Sequence, residues 1–259
     1  MRSLILLIVL LAAVPAVPAD QSDDRLVEVP TRPGVTVPVY LMKRSEAVAT
    51  VVLLPGGNGG IALSGDEPSS RDFLVKNREY FSLQGFNVAV IGRPSDKLNL
   101  DLPARRSPDH LTDIRRIVAY LRNDSPLPVW LVGMSRGTVS ATAAAIAFGS
   151  EDLAGIVLAS SITSTTIPYT VPRQRLSRIR IPVLVLHHEK DACGICDPDG
   201  VREIMAGLTN VPVAKAVLVG GGWLPSGNPC TSSHWHGYSG MEREAVDIIA
   251  RWIRDPAWW

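Results

Sequence analysis

Short apolar runs alternate with longer segments of helical periodicity along most of the chain, and this alternation restricts the fold more than any other feature. The run at 49–54 is continuously apolar or β-branched, and it stops at a glycine-rich segment, residues 55–60. A short strand that is apolar on both faces is typical of the centre of a parallel sheet. Ser107 and Pro108 then provide the N-cap and first-turn proline of an amphipathic helix. The order predicts one α/β domain with a mostly parallel sheet and right-handed crossovers.

The pattern also predicts the bounds of most elements. The segment 163–180 is polar and irregular, so we expect at most a short flap there and no large lid domain. Strands are predicted at residues 26–29, 35–40, 49–54, 87–91, 129–132, 155–159, 182–187 and 214–219, and helices at 70–83, from 108 onward, and at 138–148, 201–208 and 241–253.

The first nineteen residues have the layout of a secretory signal peptide rather than of a folded element. A short basic start with Arg2 precedes an unbroken apolar run of eleven residues, Leu4 to Val14, and small residues at Val17 and Ala19 precede a cleavage point. The run is shorter than the roughly 20 residues that a membrane span needs. We therefore expect cleavage after Ala19, a mature domain at 20–259, and a secreted or periplasmic location.

The overall charge makes two partner classes unlikely targets. The 259 residues carry 26 Lys+Arg and 25 Asp+Glu, a formal net charge of +1. Removal of the signal peptide takes Arg2 and no acidic residue, which leaves a balance of zero. A field of that size does not steer a protein to nucleic acid or to an acidic membrane. Since neither a dinucleotide fingerprint nor a phosphate-binding P-loop motif is present, we expect no cofactor.

The segment Gly133-Met134-Ser135-Arg136-Gly137 follows a predicted strand and precedes an alanine-rich predicted helix. A serine on such a sharp turn projects its hydroxyl from the sheet, and the flanking glycines relieve crowding. The N-terminus of the following helix favours developing negative charge. Ser135 is therefore the candidate nucleophile, and a glycine–serine turn without chemistry is the alternative.

A serine nucleophile needs a base, and the chain has only five histidines. His234 and His236 lie in a loop after the last predicted strand, which can fold back over the strand ends. His236 is the preferred base and His234 the second choice. The acid that orients the imidazole should be Asp191, with Glu189 as the alternative. The order Ser135, Asp191, His236 is the chain order of the triad in α/β-hydrolases.

The oxyanion of an acyl-transfer intermediate needs hydrogen-bond donors. The residue after the nucleophile, Arg136, should give one backbone N–H. The other should come from the glycine-rich segment after the strand at 49–54, where Gly57 and Asn58 are the candidates.

Taken together, these residues resemble the α/β-hydrolases, and within them the lidless, dienelactone-hydrolase-like group. The resemblance spans about 35–253, and it rests on the segments 133–137 and 55–60, on Asp191, and on His236-Gly237-Tyr238, which resembles the His-Gly-Phe of the family. It implies an α/β-hydrolase fold and hydrolysis of esters or related acyl compounds through an acyl-enzyme. Two features depart from the family: Ser135 stands where dienelactone hydrolases use cysteine, and Pro55-Gly56 replaces His-Gly before the oxyanion loop.

Three cysteines leave the disulfide pairing open. If the loops of Asp191 and His236 meet, Cys193 approaches Cys230, and a disulfide would brace the two loops. Cys196–Cys230 and Cys193–Cys196 are the alternative pairings. A zinc site formed by the three cysteines and His234 is less favoured because export favours disulfides, and we expect no metal.

Three residues are candidate substrate contacts. Arg93 follows the strand at 87–91 and could bind a carboxylate, although a structural salt bridge is the alternative. His234 and Trp235 could line the mouth and apolar wall of the pocket.

The sequence thus predicts an exported serine hydrolase that acts on a small ester-like compound. An acyltransferase with the same triad and a non-catalytic binding protein of the same fold are the alternatives.

Overall fold

A computed structural model of the chain describes residues 24–259. The predicted signal peptide lies outside the described residues. Ten strands and six α-helices alternate through most of this range. The strands are β1 (Arg25–Arg32), β2 (Val35–Met42), β3 (Ala49–Leu54), β4 (Leu63–Ser64), β5 (Glu67–Pro68), β6 (Phe86–Ile91), β7 (Val129–Met134), β8 (Gly155–Ala159), β9 (Val183–His188) and β10 (Ala214–Val219); the helices are α1 (Phe73–Lys76), α2 (Arg78–Leu83), α3 (Pro108–Asp124), α4 (Arg136–Phe148), α5 (Val201–Gly207) and α6 (Glu242–Arg254).

Eight of the strands form one sheet in the order β1-β2-β6-β3-β7-β8-β9-β10. The pairings β1–β2 and β2–β6 are antiparallel, and the other five are parallel. The prediction of a mostly parallel sheet is therefore confirmed. Because parallel strands end at the same edge, the loops after β3, β7, β9 and β10 can meet there.

Helices cover both faces of the sheet, which explains the continuous apolar strands. In β3, Val52 and Leu54 face α3 and α4, whereas Val51 and Leu53 face α1 and α6. All four side chains are buried. A strand covered on both sides must be apolar at odd and even positions alike, as its sequence is.

The predicted helix over 70–83 is wrong in one respect, because it is divided at Asn77. The helix α1 begins after Asp72, whose side-chain oxygen accepts a hydrogen bond from the N–H of Leu74 at 2.9 Å. The Asn77 side chain and backbone both donate to the carbonyl of Phe73. An asparagine that satisfies the last turn in this way ends a helix, and α2 starts at the next residue.

The other helix signals are confirmed. Ser107 caps α3 and accepts from the N–H of His110 at 3.2 Å, with Pro108 in the first turn. Within residues 24–259, the segment between β8 and β9 is irregular and forms no separate lid. No helix in that same range combines the length and apolar character required to cross a bilayer.

Candidate active site

Ser135 occupies a sharp turn between β7 and α4. Its φ and ψ are 51° and −120°, a region that residues with a side chain rarely adopt. The turn is held by a hydrogen bond from the Ser135 N–H to the carbonyl of Ala159 at 3.0 Å and by one from the Thr138 N–H to the carbonyl of Ser135 at 3.0 Å. Backbone strain of this kind occurs where surrounding contacts over-determine the conformation.

The two flanking glycines are required by close backbone packing. A Cβ atom at Gly137 would lie 1.9 Å from the carbonyl oxygen of Leu54, at the end of β3. A Cβ atom at Gly133 would lie 2.6 Å from the carbonyl oxygen of Gly137. The glycines therefore let the start of α4 sit directly against the start of the loop after β3.

Asp191 follows β9 and is the common partner of two histidines. Its Oδ2 atom is 2.8 Å from Nδ1 of His236 and 3.1 Å from Nε2 of His187. Nε2 of His187 also lies 2.8 Å from the carbonyl oxygen of Cys196, so it faces two acceptors and must carry the proton. Burial alone would raise the pKa of Asp191, but hydrogen bonds from His187 and His236 lower this pKa to about 2. Asp191 is therefore ionised at neutral pH.

The loop that carries His236 is fixed to the ends of β8 and β9. The Tyr238 hydroxyl donates to the carbonyl of Leu186 at 2.8 Å and accepts from the N–H of Ser160 at 3.1 Å. The Ser160 hydroxyl in turn donates to the carbonyl of His236 at 2.8 Å. These bonds hold the imidazole above the sheet edge where Asp191 and Ser135 lie.

Ser135 and His236 line the same cavity and share a neighbour, Cys196. The Cys196 side chain lies beside that of Ser135, and its sulfur lies within 4.8 Å of a ring nitrogen of His236. Because Nδ1 of His236 faces Asp191, the remaining nitrogen is Nε2. This atom is buried and has no hydrogen-bond partner among residues 24–259. The imidazole nitrogen that does not face Asp191 is thus free of protein partners in the cavity that Ser135 also lines.

The loop after β3 presents backbone N–H groups at the opposite wall. The Gly56 N–H donates to Oδ2 of Asp72 at 2.8 Å, whereas the N–H groups of Gly57 and Asn58 have no protein acceptor in the described part of the chain. Arg136 is the first residue of α4, and its N–H has no acceptor within the helix. The three predicted oxyanion residues therefore carry unpaired donors, while the Asn58 side chain accepts from the Gly60 N–H at 2.9 Å.

A disulfide joins Cys193 to Cys230, and Cys196 is a free, buried thiol. The Cys193 N–H donates to Oδ1 of Asp191 at 3.0 Å, and Cys230 lines the cavity. The cross-link thus connects the loop of the acid to the wall next to the base. The alternative zinc site needed free thiolates at Cys193 and Cys230, but the disulfide uses both sulfur atoms.

The cavity around Ser135 has a volume of about 510 Å³. A second cavity of about 940 Å³ adjoins it and shares Ser70, Arg71, Ser232 and Ser233 with its wall. The first is lined by Gly56, Gly57, Asn58, Gly60, Ser70, Arg71, Asp72, Phe73, Met134, Ser135, Asn228, Cys230, Thr231, Ser232, Ser233 and His236.

The three predicted substrate contacts do not belong to this lining. The Arg93 guanidinium donates to the carbonyl of Leu98. Trp235 stacks on His188, with ring centroids 5.7 Å apart, and His234 packs edge-on against Trp235. These contacts fix the orientation of all three side chains.

Four residues that support the site were not predicted from the sequence, and Glu189, the alternative acid, lies elsewhere. Glu189 approaches Gly220, where a Cβ atom would lie 2.5 Å from its Oε1. The missed residues are Asp72, Arg105, Cys196 and His187. Of these, only Asp72 carried a readable signal, as a helix N-cap, and its contact with Gly56 is not local in sequence.

Comparison with known proteins identifies the fold. No family model and no curated protein sequence matches the chain. Among solved structures, a dienelactone hydrolase from Anabaena variabilis has a TM-score of 0.63 at 15% identity and covers 90% of this chain and 98% of its own. A lidless α/β serine hydrolase from Xanthomonas campestris has a TM-score of 0.57 at 16% identity, with 92% and 98% covered. An esterase from Pyrococcus furiosus has a TM-score of 0.62 at 14% identity, with 91% and 92% covered.

The chain therefore has the α/β-hydrolase fold, of the lidless, dienelactone-hydrolase-like type. The fold resemblance stated from the sequence is confirmed. Because one fold hosts many activities, the function has to be argued from the site.

Proposed function

We propose that this protein is an exported serine hydrolase that cleaves an ester-like acyl compound through an acyl-enzyme on Ser135. The observation that carries the proposal is the ionised Asp191 bonded to Nδ1 of His236, whose other nitrogen is buried without a partner in the cavity that Ser135 also lines. An imidazole held in this tautomer can take a proton, and a serine needs such a base to become nucleophilic.

In the proposed mechanism, the hydroxyl oxygen of Ser135 attacks the acyl carbon while Nε2 of His236 takes the proton. Asp191 stabilises the imidazolium that forms and keeps the ring orientation. The imidazolium then gives the proton to the leaving alcohol, and an acyl-enzyme remains. Water then attacks the acyl carbon and loses a proton to the same nitrogen, and the imidazolium returns that proton to the Ser135 oxygen as the bond to the acyl group breaks and the acid leaves.

The negative charge of each tetrahedral intermediate requires donors that are already in place. Gly57 and Asn58 line the same cavity as Ser135, and their N–H groups are unpaired in residues 24–259, while Arg136 adds the positive end of the α4 dipole. The loss of one such donor typically lowers the rate by about 10²–10³-fold.

Cavity size and shape indicate the substrate class. A volume of about 510 Å³ suits a small acyl or alcohol group, and the adjoining cavity gives room for a longer portion. The Cys193–Cys230 disulfide and the signal-like N-terminus support an oxidising compartment outside the cytoplasm.

Two measurements test the proposal together. Wild-type protein should hydrolyse p-nitrophenyl acetate and react with a fluorophosphonate probe at Ser135, and the Ser135→Ala variant should do neither while keeping its circular dichroism spectrum. Ser82→Ala is a matched control, because Ser82 is a buried serine on α2 whose hydroxyl has no partner in residues 24–259. Folded wild-type protein that neither labels nor turns over ester would contradict the proposal and favour a non-catalytic binding protein.

A further inference from the structure

Arg105 is a fully buried arginine behind the loop that follows β3. Its side chain is 1% exposed. One nitrogen, Nη2, donates to three successive carbonyl oxygens, those of Pro55 at 3.0 Å, Gly56 at 3.2 Å and Gly57 at 3.3 Å. The rest of the guanidinium is held by the carbonyl of Leu100 at 3.0 Å and the hydroxyl of Ser140 at 3.2 Å.

Three carbonyls turned to one side determine where the next three N–H groups point. In a trans peptide unit, the carbonyl of one residue and the N–H of the next lie on opposite sides. The N–H groups of Gly56, Gly57 and Asn58 must therefore point away from Arg105. The first of them meets Asp72, at 2.8 Å from Oδ2, and the other two stay unpaired at the cavity that Gly57 and Asn58 line.

We propose that Arg105 is a positioning residue that presets the oxyanion hole by fixing the peptide planes of Gly57 and Asn58. This inference rests on the proposed serine hydrolase activity. Both Gly57 and Asn58 would then be oxyanion donors, because Arg105 orients their two N–H groups in the same direction. Asp72 completes the clamp from the other side of the Gly56 peptide.

The charge of Arg105 strengthens these bonds. Burial lowers the pKa of Arg105 to about 9, against the attraction of Asp72, so the side chain is still a cation at neutral pH. Hydrogen bonds from a charged donor are about twice as strong as neutral ones. A planar guanidinium offers five donors in fixed directions, whereas a lysine ammonium is a point donor that cannot reproduce the contacts to the loop, Leu100 and Ser140 together.

The test compares Arg105→Lys and Arg105→Met with matched changes at Arg32. Arg32 is also a mostly buried arginine with several bonds, to Asp113 and Asp96, and it is the last residue of the edge strand β1. For p-nitrophenyl acetate, kcat of both Arg105 variants should fall about 10²–10³-fold with KM changed less than threefold, as expected when only transition-state binding is lost. The rate of Ser135 phosphonylation should fall in parallel. Arg32→Lys and Arg32→Met should lower stability without changing kcat.

Chemical rescue separates positioning from a general folding role. Low-millimolar guanidinium chloride should raise the kcat of Arg105→Ala at least tenfold, and the same concentration of sodium chloride should leave it unchanged. A folded Arg105→Met that is phosphonylated within threefold of the wild-type rate would overturn the inference. So would a loss of activity that appears only as an increased KM or as a smaller folded fraction.

A further readout does not depend on turnover. Peptide-level hydrogen exchange of residues 56–60 should be at least tenfold faster in Arg105→Lys than in wild type, and unchanged in Arg32→Lys. If wild-type protein fails to react with the probe, the proposed function fails, yet the exchange measurement still decides whether Arg105 fixes the loop. Unchanged exchange in Arg105→Lys would refute the clamp itself.

Discussion

Removal of the Cys193–Cys230 disulfide should lower both stability and activity, and the stability loss can be calculated. The cross-link joins positions 37 residues apart. In the chain-entropy treatment, a loop of that length lowers the entropy of the unfolded chain enough to contribute about 4 kcal/mol at 25 °C. For a chain of this size, such a loss corresponds to a fall in Tm of about 8–15 °C.

The assay is urea unfolding of the wild type and of the double variant Cys193→Ala/Cys230→Ala, each with and without reductant. The double variant should unfold with about 4 kcal/mol less free energy than the wild type and should not respond to reductant. Cys196→Ala is the matched control, because it removes the buried free thiol and keeps the disulfide. This control should still lose stability when reductant is added.

Activity should fall with the cross-link for a separate reason. Cys193 bonds to Asp191 through its N–H, and Cys230 lies in the cavity wall, so the broken bond uncouples the acid loop from that wall. We expect kcat for p-nitrophenyl acetate to fall under conditions where the double variant is still folded. A double variant within 1 kcal/mol of the wild type without reductant, or one equally sensitive to reductant, would refute this account of the disulfide.

Three further predictions follow from single contacts. Asp191→Asn should lower kcat about 10⁴-fold with the fold intact, because an amide no longer fixes the imidazole tautomer, and a loss below tenfold in ester hydrolysis would contradict this. Gly137→Ala should destabilise the protein by about 3 kcal/mol or more in urea unfolding, because the backbone carbonyl 1.9 Å from the new methyl group outweighs a helix-propensity gain of about 1 kcal/mol. Gly194→Ala is its control, since no atom lies within 4 Å of the Cβ position there, and equal losses in both would refute the argument. Burial lowers the pKa of His110 from 6.5 to about 3, so below pH 6.5 the unfolded chain binds a proton that the folded chain does not. The free energy of unfolding should therefore fall as the pH drops from 6.5 towards 3, and this histidine contributes at most about 1.4 kcal/mol per pH unit. Urea unfolding of His110→Gln at pH 7, 5 and 4 should lack that part of the pH dependence.

Much of the fold could be predicted from the sequence because local patterns agree with the global arrangement. Strand β10 occupies the predicted residues, Ala214–Val219, and β8 the predicted Gly155–Ala159. Strand β8 is a short apolar run, and β10 is one interrupted only by Lys215. The helix predicted over 70–83 failed at Asn77, where a side chain competes for a backbone carbonyl that the apolar spacing does not reveal.

The candidate site could be predicted only as far as backbone context determines it. A serine between a strand and a helix is readable from sequence, and so is an aspartate a few residues after a strand. The directions of the Arg93 and Trp235 side chains are not, because the first depends on how the loop to Leu98 folds and the second on stacking against His188, which is distant in sequence. Arg105 was missed for the same reason, since its contacts with the loop at 55–57 span about fifty residues.

The resting arrangement of Ser135 has a consequence for how a substrate would engage the site. Within residues 24–259 no hydrogen bond joins the Ser135 side chain to His236, and Nε2 of His236 has no partner. The surrounding parts are already fixed: the elbow by Gly137, the donor loop by Arg105, and the imidazole by Asp191. Under the proposed function, the serine hydroxyl has to turn towards Nε2 of His236 when a substrate binds, and its side chain can move between staggered positions while Asp191 holds the imidazole. The proposed mechanism would then lose little entropy on reaching the transition state, because the imidazole is held by Asp191 and the donor loop by Arg105 before a substrate binds.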